Sequence, residues 1–310
     1  MRVTAKRGNP QLATVYMATL SDGHGIEFVE SVQPPIPREE KWVLIVSTLR
    51  GCPVNCPICD AGMSYAGRLT AGEILQQIDH MVTSRYPDRV VPVPKFKIQF
   101  ARMGDPAFNP AVLEVLRTLP SIYRAPGLLP SLSTIAPEGC EDFLEQLLPI
   151  KEELYSGGMF QMQFSIHSSS AEARSRLVPC PTLSFDRISE WGRRWYRQGD
   201  RKISLNFAAV EGYPLDPAVI AAAFPPSCFM IKLTPVNPTA STERNRLRGV
   251  IDPDRPGTAR ELVEGFRSAG FDTLLSIGDT RENQIGSNCG MYVGEYVPEL
   301  PRSTGHTLRP

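Results

Sequence analysis

The chain reads as an α/β protein built on a parallel sheet, and three observations predict that class. Short apolar runs of strand length alternate with amphipathic helical segments over most of the 310 residues. Most of the 29 prolines fall between these segments rather than inside them, and punctuate the chain into short units. A composition of 42% hydrophobic and 21% charged residues belongs to a chain with a buried core, which excludes a disordered polymer or a collagen-like fibre. Six or seven strand–helix units fit a full or partial (β/α) barrel. A doubly wound open sheet fits the same alternation, and periodicity does not separate the two.

The elements follow in chain order. Ala13 to Leu20, the turn Ser21-Asp22-Gly23-His24 and Ile26 to Val32 predict a β-hairpin. After the break at Pro34-Pro35-Ile36-Pro37, the apolar run from Lys41 to Thr48 suits a strand buried on both faces. Thr70-Ala71-Gly72-Glu73 is a capping box, and Ile74, Leu75, Ile78 and Met81 mark one face of the helix behind it. Further strands are expected at Phe96 to Ala101, Ser131 to Ile135, Met159 to His167, Lys202 to Val210, Cys228 to Val236 and Asp272 to Ile277. Helices are expected between them at Pro110 to Leu116, Glu138 to Leu148, Phe185 to Gln198, Asp216 to Ala223 and Thr258 to Ala269.

Charge and cysteine usage narrow the function classes. Lysine plus arginine and aspartate plus glutamate both number 33, so no global field draws the chain onto nucleic acid or anionic lipid. The N-terminus lacks the continuous apolar stretch of a signal peptide, and no run approaches the roughly 20 apolar residues that cross a bilayer. The expectation is a cytoplasmic protein with no membrane partner. Seven cysteines, three of them crowded between Cys52 and Cys59, suit a metal site in a reducing compartment better than a disulfide framework.

That crowded segment carries the chemistry. Cys52, Cys56 and Cys59 stand at C-x3-C-x2-C spacing just past the first predicted parallel strand. Three thiolates on such a loop can hold three irons of a [4Fe–4S] cluster and leave the fourth iron open for a substrate. Structural zinc would need a fourth ligand; the next cysteine, Cys140, stands alone and no histidine is spaced to complete a set. A set of buried free thiols is the remaining alternative.

With this triad the chain resembles the radical S-adenosylmethionine (SAM) superfamily, although Ile58 takes a place before the third cysteine that is often aromatic there. The resemblance implies that SAM chelates the open iron and that an electron from an external flavodoxin- or ferredoxin-type donor splits it to a 5′-deoxyadenosyl radical. More closely, the chain is similar to the RlmN/Cfr family of adenosine methyltransferases, which act on ribosomal and transfer RNA. The similar text runs in order through Ser21-Asp22-Gly23-His24, Ile26-Glu27 and Val29, Met103-Gly104-Asp105-Pro106, Leu132-Ser133-Thr134 and Ser165-Ile166-His167. It continues through Arg174 to Pro179, Pro235-Val236-Asn237-Pro238 and Asn288-Cys289-Gly290.

The resemblance implies a partial (β/α)6 barrel with an N-terminal hairpin extension, divided at 1–40, 41–280 and 281–310. It implies that Gly104 lets the backbone approach SAM, that Asp105 accepts from its ammonium, and that Ser133, Ser165, His167 and Asn237 bind its carboxylate, ribose and adenine. Read as isolated residues, Asp105, Ser133 and Asn237 equally suit helix or turn caps, and His167 a packing residue. Glu27 aligns with a position treated as a proton acceptor, with Glu30 its neighbour and rival; a solvent-facing hairpin residue is the other reading.

Cys289 is implied to accept a methyl group from one SAM and to pass it, after hydrogen abstraction, to an adenine carbon. A loop thiol with no task is the alternative. The family's second thiol, seven residues before the first cluster cysteine, is Ile45 here. Cys140 and Cys180 follow strands and are the available substitutes, whereas Cys228 starts one. The family's accessory domain before the hairpin has no counterpart in the dozen residues present. Its basic last strand is replaced by Leu275-Ser276-Ile277-Gly278-Asp279. The substrate is therefore left as a small molecule or an adenosine-containing RNA. Direct hydrogen abstraction without methyl-cysteine chemistry, and a non-catalytic cluster-bearing or RNA-binding protein, are the rival functions.

Overall fold

The computed structural model describes residues 1–288 together with Met291 and Tyr292. An antiparallel run opens the chain, from β1 (Arg2–Asn9) through β2 (Ala13–Thr19) to β3 (Gly25–Ser31). β3 then pairs antiparallel with β4 (Lys41–Val46), which starts the parallel part. A short two-stranded sheet, β5 (Leu49–Gly51) with β6 (Tyr65–Arg68), brackets the cysteine loop.

The crossovers follow in regular order: α1 (Ala71–Thr83), β7 (Lys95–Phe100), α2 (Ala111–Ile122), β8 (Leu128–Thr134), α3 (Glu141–Leu154) and β9 (Gln161–Ser165). α4 (Ala171–Leu177) and α5 (Phe185–Trp195) lead to β10 (Ile203–Ala208), and α6 (Pro217–Ala223) leads to β11 (Phe229–Thr234). α7 (Ala240–Arg244), α8 (Arg260–Ser268), β12 (Thr273–Leu275) and α9 (Arg281–Ile285) complete the described chain.

All the strands except β5 and β6 form one sheet, in the order β1-β2-β3-β4-β7-β8-β9-β10-β11-β12. From β4 to β12 every neighbouring pair is parallel. Among the described residues β1 and β12 are not paired with each other, so the barrel is partial.

Side-chain alternation explains why it is barrel-like rather than doubly wound. Trp42, Leu44 and Val46, Phe96, Ile98 and Phe100, Met162 and Phe164, and Phe229, Ile231 and Leu233 all enter one continuous core with the helices. The alternate residues, among them Lys97, Gln99, Ser131, Ser133, Gln163, Ser165, Asn206 and Lys232, therefore share the other face. A doubly wound sheet would need apolar residues on both faces. The helices therefore cover one face only, and the polar face is left to line the inside of the partial barrel.

Local chemistry sets the predicted boundaries. The Thr70 hydroxyl accepts from Glu73 N–H at 3.2 Å and the Glu73 carboxylate accepts from Thr70 N–H at 2.8 Å, which closes the capping box of α1. The sequence reading missed β1, in which Arg2, Lys6 and Arg7 are exposed and only the short apolar pair Val3 and Ala5 is half-buried. It also missed the short α4 and α7.

Candidate active site

The triad loop leaves β5 at Gly51, whose φ of +80° suits glycine. A Cβ there would lie 1.5 Å from the Ser64 carbonyl oxygen. Cys52 N–H donates to that oxygen at 3.2 Å, and Cys59 N–H donates to Cys56 O at 3.0 Å, so the loop folds on itself. The Asp60 carboxylate behind it is buried and accepts from Ala240 N–H at 3.2 Å and Ser241 N–H at 2.8 Å, at the start of α7. Asn245 Nδ2 donates to Pro57 O at 3.2 Å. These bonds tie the loop to the connection after β11.

Cys52 and Cys56 pack with Cys180 and Phe108 on a small apolar patch of Val54, Ile135 and Val178. Burial pushes the Cys52 thiol up to about 11 and the Cys56 thiol well above its usual value, the latter helped by Cys59 and Cys52. Such thiols stay protonated until a metal displaces the proton. Among the described residues no three His, Cys, Asp or Glu side chains converge closely enough to hold one metal ion. Cys59 and Cys52 raise the Cys56 thiol through space, so the three thiols lie near one another, and one thiolate per iron is what a [4Fe–4S] cluster takes. The donor set fits the cluster. Cys140, by contrast, is buried at the start of α3, with its thiol pushed far up by burial.

Beside the loop, Gly104 has φ +86°, and a Cβ there would meet the Leu49 side chain at 2.4 Å. It turns the chain so that Asp105 enters the protein. The Asp105 carboxylate accepts from Ala107 N–H at 2.9 Å, Thr134 Oγ1 at 2.7 Å and Ile135 N–H at 2.6 Å. Burial raises its pKa to about 6 against the pull of these bonds. Asp105 thus cross-links the ends of β7 and β8.

His167 follows β9 at φ +63°, an uncommon conformation for a non-glycine residue. Its Nδ1 accepts from Ala208 N–H at 3.1 Å, and burial, aided by Arg174, lowers its pKa to about 4. The imidazole is therefore neutral near pH 7, with Nε2 carrying the proton. Arg174 itself is buried and donates to Ile135 O at 2.6 Å and Ser165 O at 3.4 Å, stitching the β8 and β9 ends together.

Ser133 and Ser165 are half-buried on the lumen face near the ends of β8 and β9. Their neighbour in register with Ser165 is Asn206, whose buried Oδ1 has no hydrogen-bond partner among the described residues. A buried acceptor without a donor is costly, and a ligand ammonium or amino group would supply one. SAM offers both, so this polar end fits it. Asn206 was not singled out in the sequence, because an asparagine inside an apolar strand shows its orphaned oxygen only in three dimensions. Asn237 lies past β11 at a groove of about 390 Å³ that is also lined by Val236, Pro238, Arg246 and Arg248.

The two hairpin glutamates are both buried, so the solvent-facing reading of Glu27 does not hold. Glu30 accepts from Trp42 Nε1 at 2.9 Å and Tyr16 OH at 3.2 Å, and pairs with Arg85 and with Arg38. Glu27 is paired with Arg102 Nη2 at 2.6 Å. Arg102 was also missed in the sequence, where an arginine just past a strand end reads as solvated. Ile45, the position of the family's second thiol, packs against a patch of Ala13, Val15, Met17 and Val29 that Ile285 and Tyr292 also cover. Cys289 lies outside the described residues.

Comparison with known proteins agrees with this geometry. No protein-family model matches the chain. It is 25% identical over 305 residues to a "Probable dual-specificity RNA methyltransferase RlmN" of Heliobacterium modesticaldum, covering 90% of this chain and 70% of that one. It is 27% identical over 290 residues to a "Ribosomal RNA large subunit methyltransferase N" of Nitrosopumilus maritimus, with 89% and 76% covered. In three dimensions it resembles a radical SAM methyltransferase from Sphaerobacter thermophilus, with a TM-score of 0.71 at 19% identity over 93% of this chain and 80% of the other. The fold is that of the radical SAM methyltransferase it matches, and the cysteine loop has the triad spacing that resembles the radical SAM superfamily. In sequence the chain is similar to the RlmN proteins named above, at 25–27% identity.

Proposed function

We propose that the protein transfers a methyl-derived carbon from SAM to an sp2 carbon of an adenosine-containing RNA, with Cys289 as the carrier. The observation that carries the reading is the self-bonded triad loop after β5, on a sheet whose polar face carries Ser133, Gln163, Ser165 and Asn206 near the C-terminal ends of β8 to β10. Cys52, Cys56 and Cys59 would hold a [4Fe–4S] cluster, which with SAM supplies one-electron chemistry and the methyl group. Asp105 and Arg174 hold the strand ends rigid, and neutral His167 keeps an Nε2–H donor without adding charge. Asn206 Oδ1 accepts from the SAM ammonium or its adenine amino group. Asn237, Arg246 and Arg248 give the neighbouring groove donors for a phosphate-bearing substrate. The names of the relatives point to RNA as that substrate.

Incubation of the cluster-loaded protein with SAM and a reductant is expected to place a methyl group on Cys289, read by peptide mass spectrometry, and to release 5′-deoxyadenosine. Ile45 in place of the second thiol favours one other reading, direct hydrogen abstraction with no thiol resolved from an adduct. An unmodified Cys289 alongside continued 5′-deoxyadenosine formation would select it.

A further inference from the structure

Glu27 and Arg102 form the most deeply buried ion pair among the described residues, with side chains 0% and 1% exposed. A buried pair is tolerated only when its remaining donors and acceptors are filled. Here they are filled from a third part of the chain. Arg102 Nε and Nη2 donate to Glu27 Oε2 at 3.2 and 2.6 Å. Nη2 also donates to Gly286 O at 2.8 Å, and Nη1 donates to Ser287 O at 3.0 Å and Asn288 O at 3.2 Å. All five guanidinium N–H groups are thereby matched to acceptors. The second carboxylate oxygen, Glu27 Oε1, accepts from Tyr292 N–H.

The pair therefore grips three consecutive carbonyls immediately before Cys289 and an amide three residues after it. Neighbouring contacts support the grip. Ser31 Oγ donates to Glu282 Oε1 at 3.0 Å, Ile285 and Tyr292 pack on the β2–β3 patch, and the Arg7 guanidinium lies 4.3 Å from the Tyr292 ring centre. Among the described residues the other deeply buried pair, Lys151–Asp200, is simpler: the lysine donates to Asp200 and to Trp195 O, and Asp200 also accepts from Arg197 N–H.

We propose that Glu27 and Arg102 are positioning residues that anchor the chain on both sides of Cys289 and so set where its thiol stands for methyl transfer. The proposal rests on the reading of Cys289 as the methyl carrier. Both Glu27 oxygens are engaged, so its carboxylate acts through Arg102 and Tyr292 rather than on substrate. Misplacement by about 1 Å is enough to slow a transfer about a hundredfold, which is why a rigid anchor on both flanks matters.

The test uses two variants of the full chain. The double substitution Glu27→Leu with Arg102→Met removes both charges together and strands neither. Arg102→Lys keeps the charge but loses the planar fork that reaches the three carbonyls. Each is compared with wild type in iron content, thermal midpoint, Cys289 methylation by SAM, and the rate of Cys289 alkylation by iodoacetamide with Cys228 as internal reference. Both variants are expected to retain iron, and Arg102→Lys to retain the midpoint. Methylation should slow at least about tenfold, and Cys289 alkylation should change severalfold relative to Cys228. Wild-type rates of both reactions in a folded variant would overturn the proposal. An altered alkylation rate in a protein whose Cys289 takes up no methyl even in wild type would uphold the anchor and overturn the carrier reading.

Discussion

Asp105 and Lys97 are ionisable groups eight residues apart on and just beyond one strand, β7; Asp105 is buried and Lys97 half-buried. Asp105, past the C-terminal end, is wrapped by two backbone N–H groups and the Thr134 hydroxyl. Lys97, toward the N-terminal end, has no hydrogen bond or ion pair with a described residue, and its charged neighbours are Lys41, Lys95, Lys232 and Arg201. Lys41 and Lys95 are direct partners in register, an arrangement of like charges that weakens strand pairing. Burial, reinforced by these cations, lowers the Lys97 pKa to about 7. One end of the lumen is thus a built polar site, and at the other Lys97 sits among like charges. Removing a group should destabilise the first end and relieve the second.

The largest expected effect is at the triad. Cys56→Ala should reduce iron from about four per chain to near zero, whereas Cys140→Ala and Lys97→Met should leave it intact. Iron retained by Cys56→Ala would break the assignment of the site end. Next, Arg102→Met alone leaves the Glu27 carboxylate buried without its counter-ion and should lower stability by about 3–5 kcal/mol in urea unfolding.

At the other end the sign reverses. A lysine whose pKa falls from 10.5 to about 7 on folding binds fewer protons folded than unfolded between those values, so stability rises with pH across that window. Wild type should gain roughly 2 kcal/mol between pH 7 and pH 10, after allowance for solvent in the lumen. Lys97→Met should be more stable than wild type at pH 7 and nearly flat over the same range. A Lys97→Met protein less stable than wild type at pH 7 would show that the lysine is compensated after all. The smallest effect is expected from Thr134→Val, which removes one of the three Asp105 bonds at a cost of about 1–2 kcal/mol.

Much of the architecture is legible in the sequence because it rests on local rules. The seven parallel strands announce themselves as apolar runs, and α1 by its capping box. The cysteine spacing was readable for the same reason, since all three ligands sit on one short loop. The choice between barrel and doubly wound sheet was not readable from periodicity. It depends on Lys97, Ser133, Gln163 and Lys232 sharing a face, which only the strand register reveals. The Glu27–Arg102 pair joins residues 75 apart and bonds to a third segment some 185 positions further on. Neither residue looks unusual beside its sequence neighbours. The orphaned oxygen of Asn206 is hidden in the same way, because the missing partner is a property of the packed lumen.

The bonds from Asp60 to residues 240 and 241 carry a consequence for the order of assembly. During synthesis the three cysteines emerge about 180 residues before the donors that close behind them. Until α7 has been made, the Asp60 carboxylate has no such partners and the thiols sit on an open hairpin loop. A chain cut short before residue 240 would expose the same half-built cradle. The finished cradle is therefore a product of the whole barrel rather than of the cysteine segment alone.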